Sequence, residues 1–232
     1  MRTSWNKGFN KFTHPSVRKI SATLKKNRVD NFSKWRKVMV ASGKIRSKYP
    51  QLTKNGDLAE LIGVVLGDGH LFKYPRAEEL SIFSNSNNIG FIERYAYLVE
   101  KIFDKKPVIR KHGITDCTRI RIYQKHIQSR LKVPYSPRRH RRIVIPSWIL
   151  KDTDFIVRYL RGLYEAEGAH CVHLPTSTYK VFFTNRNISM LNNVYRLVKK
   201  LGFHPHRSLY QIQLSRKVEV ESFLKLIKFR KY

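Results

Sequence analysis

An α+β fold built from two related halves is what this sequence predicts, and three observations predict it. First, one pattern occurs twice, as Leu61-Ile62-Gly63-Val64-Val65-Leu66-Gly67-Asp68-Gly69 and as Leu160-Arg161-Gly162-Leu163-Tyr164-Glu165-Ala166-Glu167-Gly168. Each copy is an apolar, helix-length stretch with small residues four apart, ending in an acid placed just before a glycine. Second, the segments downstream of each copy repeat as well. Ile82-Phe83-Ser84-Asn85-Ser86-Asn87 aligns with Phe182-Phe183-Thr184-Asn185-Arg186-Asn187 at an offset of 100, and Ile120, Ile122, Lys125 and Leu131 align with Ile212, Leu214, Lys217 and Phe223 at 92. Third, runs of strand-like alternation and of 3.6-residue periodicity succeed one another in the same order in both halves. Offsets that drift only by loop lengths mark a tandem duplication of an αββαββα unit, with too few copies for a solenoid. The expected organisation is a basic N-terminal extension over residues 1–50, a first repeat over 51–143 and a second over 144–232.

Within the extension, Ser16 to Lys26 reads as a short helix with only Val17, Ile20 and Leu24 apolar, and Phe32 to Val40 as a second basic helix around Trp35. After the first motif helix, Gly69 to Tyr74 and Glu79 to Phe83 read as strands. Asn87-Asn88 then opens a helix whose apolar residues Ile92, Tyr95, Ala96, Val99, Ile102 and Phe103 share one face. Pro107 to Arg110 and Thr118 to Tyr123 form a second strand pair, and a short helix from His126 to Lys132 closes the half. In the second half, Cys171 to Leu174 and Tyr179 to Phe183 are strands, and Asn187 opens a helix through Leu191, Val194, Tyr195, Val198 and Leu201. His204 to Ser208 and Tyr210 to Leu214 are strands, and a helix from Glu219 to Ile227 completes the unit.

Composition names the kind of partner. The 232 residues carry 41% hydrophobic and 12% aromatic side chains, enough for a core, but a formal net charge of +31. That excess calls for a polyanion, DNA or RNA first. The first 50 residues hold 14 Lys or Arg against the single acid Asp30, so the extension is the densest cationic part. No apolar run suits a membrane span, and Met1-Arg2-Thr3-Ser4-Trp5 offers no signal core, so an intracellular protein of cytoplasm, nucleoid or organelle is expected. Cys117 and Cys171 stand far apart and read as reduced, incidental thiols.

The doubled motif carries the chemistry. Small residues at i and i+4 lie on one helix face and let two backbones approach. If the segments pack through Gly63, Gly67, Gly162 and Ala166, then Asp68 and Glu167 arrive side by side. An acid at a helix C-terminus sits at the unfavourable end of the dipole, and a second acid beside it adds repulsion. A divalent cation reverses both penalties, since hard oxygen ligands and negative charge are what it requires. The main-chain carbonyls of Gly67 and Ala166, at helix ends, are further candidate ligands. His170, Cys171 and His173 do not make a zinc site: alternation sets His170 opposite the other two, and four convergent ligands are absent.

The two segments resemble the signature of the LAGLIDADG homing endonucleases, in the single-chain, two-motif form. The resemblance spans roughly residues 57–232 and includes Ile145-Pro146-Ser147-Trp148-Ile149 ahead of the second motif. The first copy departs from the signature at Leu66, where the pattern has an acid; the matching position in the second copy is Glu165. Trp5-Asn6-Lys7-Gly8 with Arg18-Lys19-Ile20-Ser21 and Leu24-Lys25 is similar to a small modular DNA-binding motif appended to intron-encoded nucleases. What the resemblance implies is a metal-dependent, sequence-specific double-strand DNA endonuclease that mobilises an intron and acts as a monomer on a long site. Asp68 and Glu167 would bind Mg²⁺ or Mn²⁺, and each half would lay a four-stranded antiparallel sheet along the major groove, which carries the full base code. Expected DNA-contacting residues are Lys7, Arg18, Lys19, Lys25, Lys73, Arg76, Ser84, Arg119, Arg121, Tyr123, Arg138, Arg141, Lys180, Arg186, Gln211 and Gln213. One basic residue per half should assist catalysis, either the pair Arg139 and Lys231 or the pair Lys125 and Lys217, and the sequence leaves that choice open. The alternative is a non-cleaving, maturase-like protein of the same fold that binds intron RNA or DNA.

Overall fold

The computed structural model describes residues 4–28 and 31–232; Met1 to Thr3, at the start of the segment expected to lack a signal core, and Asp30 lie outside the described residues. The chain divides into two compact units, 1–49 and 50–232. In the first, helix α1 (Pro15–Lys26) starts at His14, whose ring accepts from the Ser16 N–H, and no residue of α1 is buried. Trp5 and Phe9 set their rings against His14, at 5.9 and 4.7 Å between centroids. Helix α2 (Asn31–Ala41) comes next.

The second unit has the expected order twice. Helix α3 (Gly56–Gly67), capped by Asn55, leads into β1 (Gly69–Lys73) and β2 (Glu78–Asn85); then come α4 (Ile89–Phe103), β3 (Val108–Lys111), β4 (Cys117–Gln124) and α5 (Ile127–Leu131). After a 3-10 turn at Ile149–Lys151, α6 (Thr153–Glu167), capped by Asp152, leads into β5 (Gly168–His173) and β6 (Thr178–Thr184). Helix α7 (Ile188–Lys200), β7 (His206–Arg207), β8 (Gln211–Leu214) and α8 (Lys217–Ile227) finish the half. The two antiparallel sheets have the same order, β1-β2-β4-β3 and β5-β6-β8-β7. The fold is the α+β duplication that the sequence predicts.

Local chemistry explains the differences. Strand β7 is shorter than expected because Pro205, without an N–H, precedes it and cannot extend the ladder. Strand β5 starts directly at the motif glycine, and Leu174 leaves it for a 3-10 turn with Pro175. The core runs through both halves as one cluster: Leu71, Leu80, Ile82, Ile120 and Ile122 under the first sheet, Val181, Phe183, Ile212 and Leu214 under the second. Every residue from Leu58 to Leu66 is buried, which makes α3 a central helix rather than an amphipathic surface one. Among the described residues, no helix is long and apolar enough to cross a membrane.

Candidate metal centre and nucleic-acid face

The motif helices α3 and α6 pack backbone to backbone. A Cβ on Gly162 would collide with the Glu60 carbonyl oxygen and stand 2.7 Å from the Val64 nitrogen; one on Gly63 would collide with the Tyr159 carbonyl oxygen. Gly67 rests on Ala166 and Glu167 in the same way. The seam therefore needs the small residues at the spacing read from the sequence, and it delivers Asp68 and Glu167 together at its lower end. Both acids are partly covered. Burial pushes the Asp68 carboxyl up to about 7, and the charge of Glu167 acts in the same direction. Burial also raises Glu167, opposed by the Asn185 amide, which donates to its Oε1 at 3.0 Å. Among the described residues, no cationic side chain pairs with either acid, in a chain whose net charge is +31. Elsewhere buried acids are matched: Glu60 receives Arg94 and Arg158, and Glu79 faces Arg119. The two carboxylates brought together at the seam, Asp68 and Glu167, are hard oxygen donors of the kind Mg²⁺ or Mn²⁺ takes, and Gly67 and Ala166 stand one residue before each.

A cleft of about 180 Å³ opens beside Glu167, walled by Leu66, Gly67, Ser136, Arg139, Asn185 and Asn187. Arg139 is exposed in this wall, and its neighbour Arg138 turns inward. Arg138 was expected on DNA. Instead its guanidinium donates to four protein oxygens: Val65 at 2.7 Å, Gly69, Pro134 at 3.3 Å and the Ser136 hydroxyl at 3.1 Å. It caps carbonyls at the C-terminal end of α3, where a cation complements the helix dipole. Burial lowers its guanidinium to about 10. In the second half the equivalent stretch, Arg230 to Tyr232, closes on Glu165. The Arg230 backbone N–H donates to Glu165 Oε1 at 2.6 Å, the Tyr232 hydroxyl donates to Oε2, and Arg161 holds the Lys231 carbonyl at 2.5 Å. The acid that Leu66 replaces in the first motif is thus a latch in the second, directed at the chain's own backbone. Each stretch also reaches the opposite half: Asn187 donates to the carbonyls of Arg138 and Arg141, and Gly90 leaves room for the Tyr232 ring.

The other basic pair sits elsewhere. Lys125 and Lys217 lie past the far ends of β4 and β8, five residues beyond Ile120 and Ile212, which lie in the rows of the motif glycines Gly69 and Gly168. Lys125 directly follows the last residue of β4, and Lys217 opens α8. The Lys217 ammonium lies 4.9 Å from the Tyr179 ring centroid. Arg139 lines the cleft beside Glu167, and the Lys231 carbonyl meets Arg161 of α6.

Register fixes the sheet faces. Pairing of Phe72 with Glu79, Ser81 with Arg121 and Phe83 with Arg119 puts Arg119, Arg121 and Tyr123 on the side away from Ile120 and Ile122. In the second sheet Lys180 opposes Cys171, Gln213 opposes Phe182 and Gln211 opposes Thr184, again away from the core. His170 pairs with Val181 and so lies opposite Cys171 and His173. Two expected groove residues fall on the other face. Lys73 and Ser84 stand two residues beyond Leu71 and Ile82 and share the core side of their strands, near its ends. Arg76 is exposed at the β1–β2 turn, Arg141 in the inter-half segment and Arg186 ahead of α7. Lys7, Arg18, Lys19 and Lys25 belong to the N-terminal unit, where the Arg18 Nε donates to the Lys11 carbonyl at 3.3 Å. Sequence reasoning missed Asn185 as the partner of Glu167, although its place in the repeated segment at an offset of 100 marked it.

No protein-family model and no curated protein sequence matches the chain. Solved structures do. I-DmoI, a homing endonuclease solved in complex with DNA and Ca, is 18% identical over 74% of this chain and 88% of its own, with a TM-score of 0.50. The N-terminal LAGLIDADG domain of DUF199/WhiA is 15% identical over 79% of this chain and 88% of its own, with a TM-score of 0.54. Full-length DUF199/WhiA from Thermatoga maritima is 16% identical over 79% of this chain and 59% of its own, at 0.52. The chain has the two-domain LAGLIDADG fold.

Proposed function

We propose that this protein is a sequence-specific, divalent-metal-dependent DNA endonuclease that works as a monomer and mobilises an intron or similar element. The observation that carries the reading is the pair Asp68 and Glu167: two part-buried acids with raised pKa values and no cationic partner among the described residues. A chain that only bound nucleic acid would gain by losing them, because they oppose both burial and each other. When bound, Mg²⁺ or Mn²⁺ supplies Lewis-acid activation of water and of the leaving oxygen. Asp68 and Glu167 hold it, and Asn185 orients the Glu167 carboxylate. Arg139 and Lys231 offset the charge that develops on the scissile phosphate, Arg139 by charge and hydrogen-bond donation alone. The outer sheet faces contact the major groove, and the basic N-terminal unit holds flanking phosphates. I-DmoI has been solved with DNA and with Ca, which supports a divalent-metal role for a chain of this fold.

The test is a plasmid carrying the genomic sequence that flanks the element with the element itself excised, incubated with Mg²⁺ or with EDTA. Linear product in Mg²⁺ alone supports the reading. Tight binding of the same DNA, or of the intron transcript, with no cut in any divalent metal replaces it with the non-cleaving alternative.

A further inference from the structure

The outer faces of the two sheets differ in chemistry. On the first, β1 adds His70 and Phe72 to the face of Arg119, Arg121 and Tyr123. Phe72 is 46% exposed and Tyr74 is 42% exposed, with their ring centroids 4.8 Å apart; Tyr74 lies 5.9 Å from Tyr123, over which Arg121 sits at 5.1 Å. Glu79 stands on the same face, between Phe72 and Tyr123, and anchors the group. It is buried, accepts from the Ser81 hydroxyl at 2.6 Å and the Tyr74 hydroxyl at 3.4 Å, and draws Arg119 to 3.8 Å. The second sheet has Cys171 at the place of Phe72, with Lys180, Thr184, Gln211 and Gln213 around it and the half-buried Phe182 paired to Gln213.

An apolar strip between arginines, on a surface that faces DNA, has one apolar feature to meet in the major groove, the 5-methyl group of thymine. Stacking on unpaired bases is the other use of exposed aromatics. It suits this strip poorly, because Phe72 and Tyr74 stand edge to face at 65° and so share no common plane for a stacked base. Resting on the DNA-endonuclease reading, we propose that Phe72, flanked by Tyr74, reads the thymine 5-methyl group, so that the first half-site depends on methyl contacts while the second is read by hydrogen bonds from Gln211, Gln213 and Lys180.

The experiment selects duplexes from a randomised pool with the full chain. Positions whose preference relaxes in Arg121→Ala mark the first half-site, and those that relax in Gln213→Ala mark the second. Each selected thymine is then replaced by deoxyuridine, which removes only the methyl. The expected result is roughly fourfold weaker binding per substituted thymine at Phe72 in the first half-site, and no change in the second. Phe72→Ser should bind thymine and uracil duplexes equally, whereas Phe72→Leu should keep the difference. Uracil tolerated in the first half-site, an equal loss in both halves, or discrimination that persists in Phe72→Ser overturns the inference while leaving DNA recognition intact. A pool that yields no preferred duplex overturns sequence-specific recognition itself, and the inference with it.

Discussion

Arg158 of α6 donates from Nε to Glu60 of α3 at 2.6 Å, joining the two halves across the motif helices toward the end away from Asp68. Glu60 is fully buried and also receives Arg94 at 2.5 and 2.7 Å, with Arg161 3.5 Å away. Glu60→Gln would leave three guanidinium groups facing a neutral amide. Removing one member of such a buried network costs about 3–5 kcal/mol. Denaturant unfolding should show that loss as a lowered midpoint, while Asp116→Asn, which breaks the exposed pair with Lys111, should leave the midpoint nearly unchanged.

Gly162→Ala tests the seam itself. The added methyl meets backbone atoms of Glu60 and Val64, which cannot rotate away as a side chain would. The helices must separate, at a cost of about 1–3 kcal/mol, read in the same unfolding experiment.

The proposed metal site predicts a pH signature without any cleavage assay. Asp68 has an ordinary value of 3.8 and is raised to about 7 in the folded chain. Between those values the folded protein binds a proton that the unfolded chain has released. The stabilising contribution is therefore complete at pH below the unfolded value and is lost as pH rises through about 7. Metal-free Asp68→Asn should accordingly be more stable than wild type at about pH 8, by roughly 1–3 kcal/mol, and the gain should vanish in acid. Mg²⁺ should raise the melting temperature of wild type more at about pH 8 than at about pH 6, because the proton must leave first, and should not move that of Asp68→Asn.

Glu165 and Glu167 stand two residues apart and should answer differently. Burial raises the Glu165 carboxyl, against hydrogen bonds from Tyr232 and the Arg230 backbone. Tyr232→Phe removes one of these bonds to a charged group, with an expected loss of about 1.5–3 kcal/mol of stability. It should keep the Mg²⁺-induced rise in melting temperature, which Glu167→Gln should lose.

What the sequence made legible was whatever depends on spacing. The glycine pattern, the two carboxylates, the offsets and the alternation of Ile120 and Ile122 with Arg119 and Arg121 all come from helix and strand periods. Long-range pairings left no such mark. Arg138 lies in a basic run that reads as a phosphate contact, yet its partners Val65 and Gly69 are 73 and 69 residues away. Glu60 and Arg158 are 98 apart, and Tyr232 and Glu165 are 67 apart. Glu79 carries no sequence sign that its acid lies within the cationic face and orders Arg119. Nor does spacing separate Arg139 with Lys231 from Lys125 with Lys217, because both pairs share one offset.

The most direct measurement is cleavage of one plasmid carrying the recognised site, in Mg²⁺, by wild type, Asp68→Asn and Glu167→Gln in parallel, with DNA affinity measured alongside. Wild type is expected to linearise the plasmid, and each variant to bind with near wild-type affinity but cut slower by at least about a hundredfold. Linearisation by both variants at the wild-type rate would contradict the metal-site assignment, and would remove Asp68 and Glu167 from the reaction.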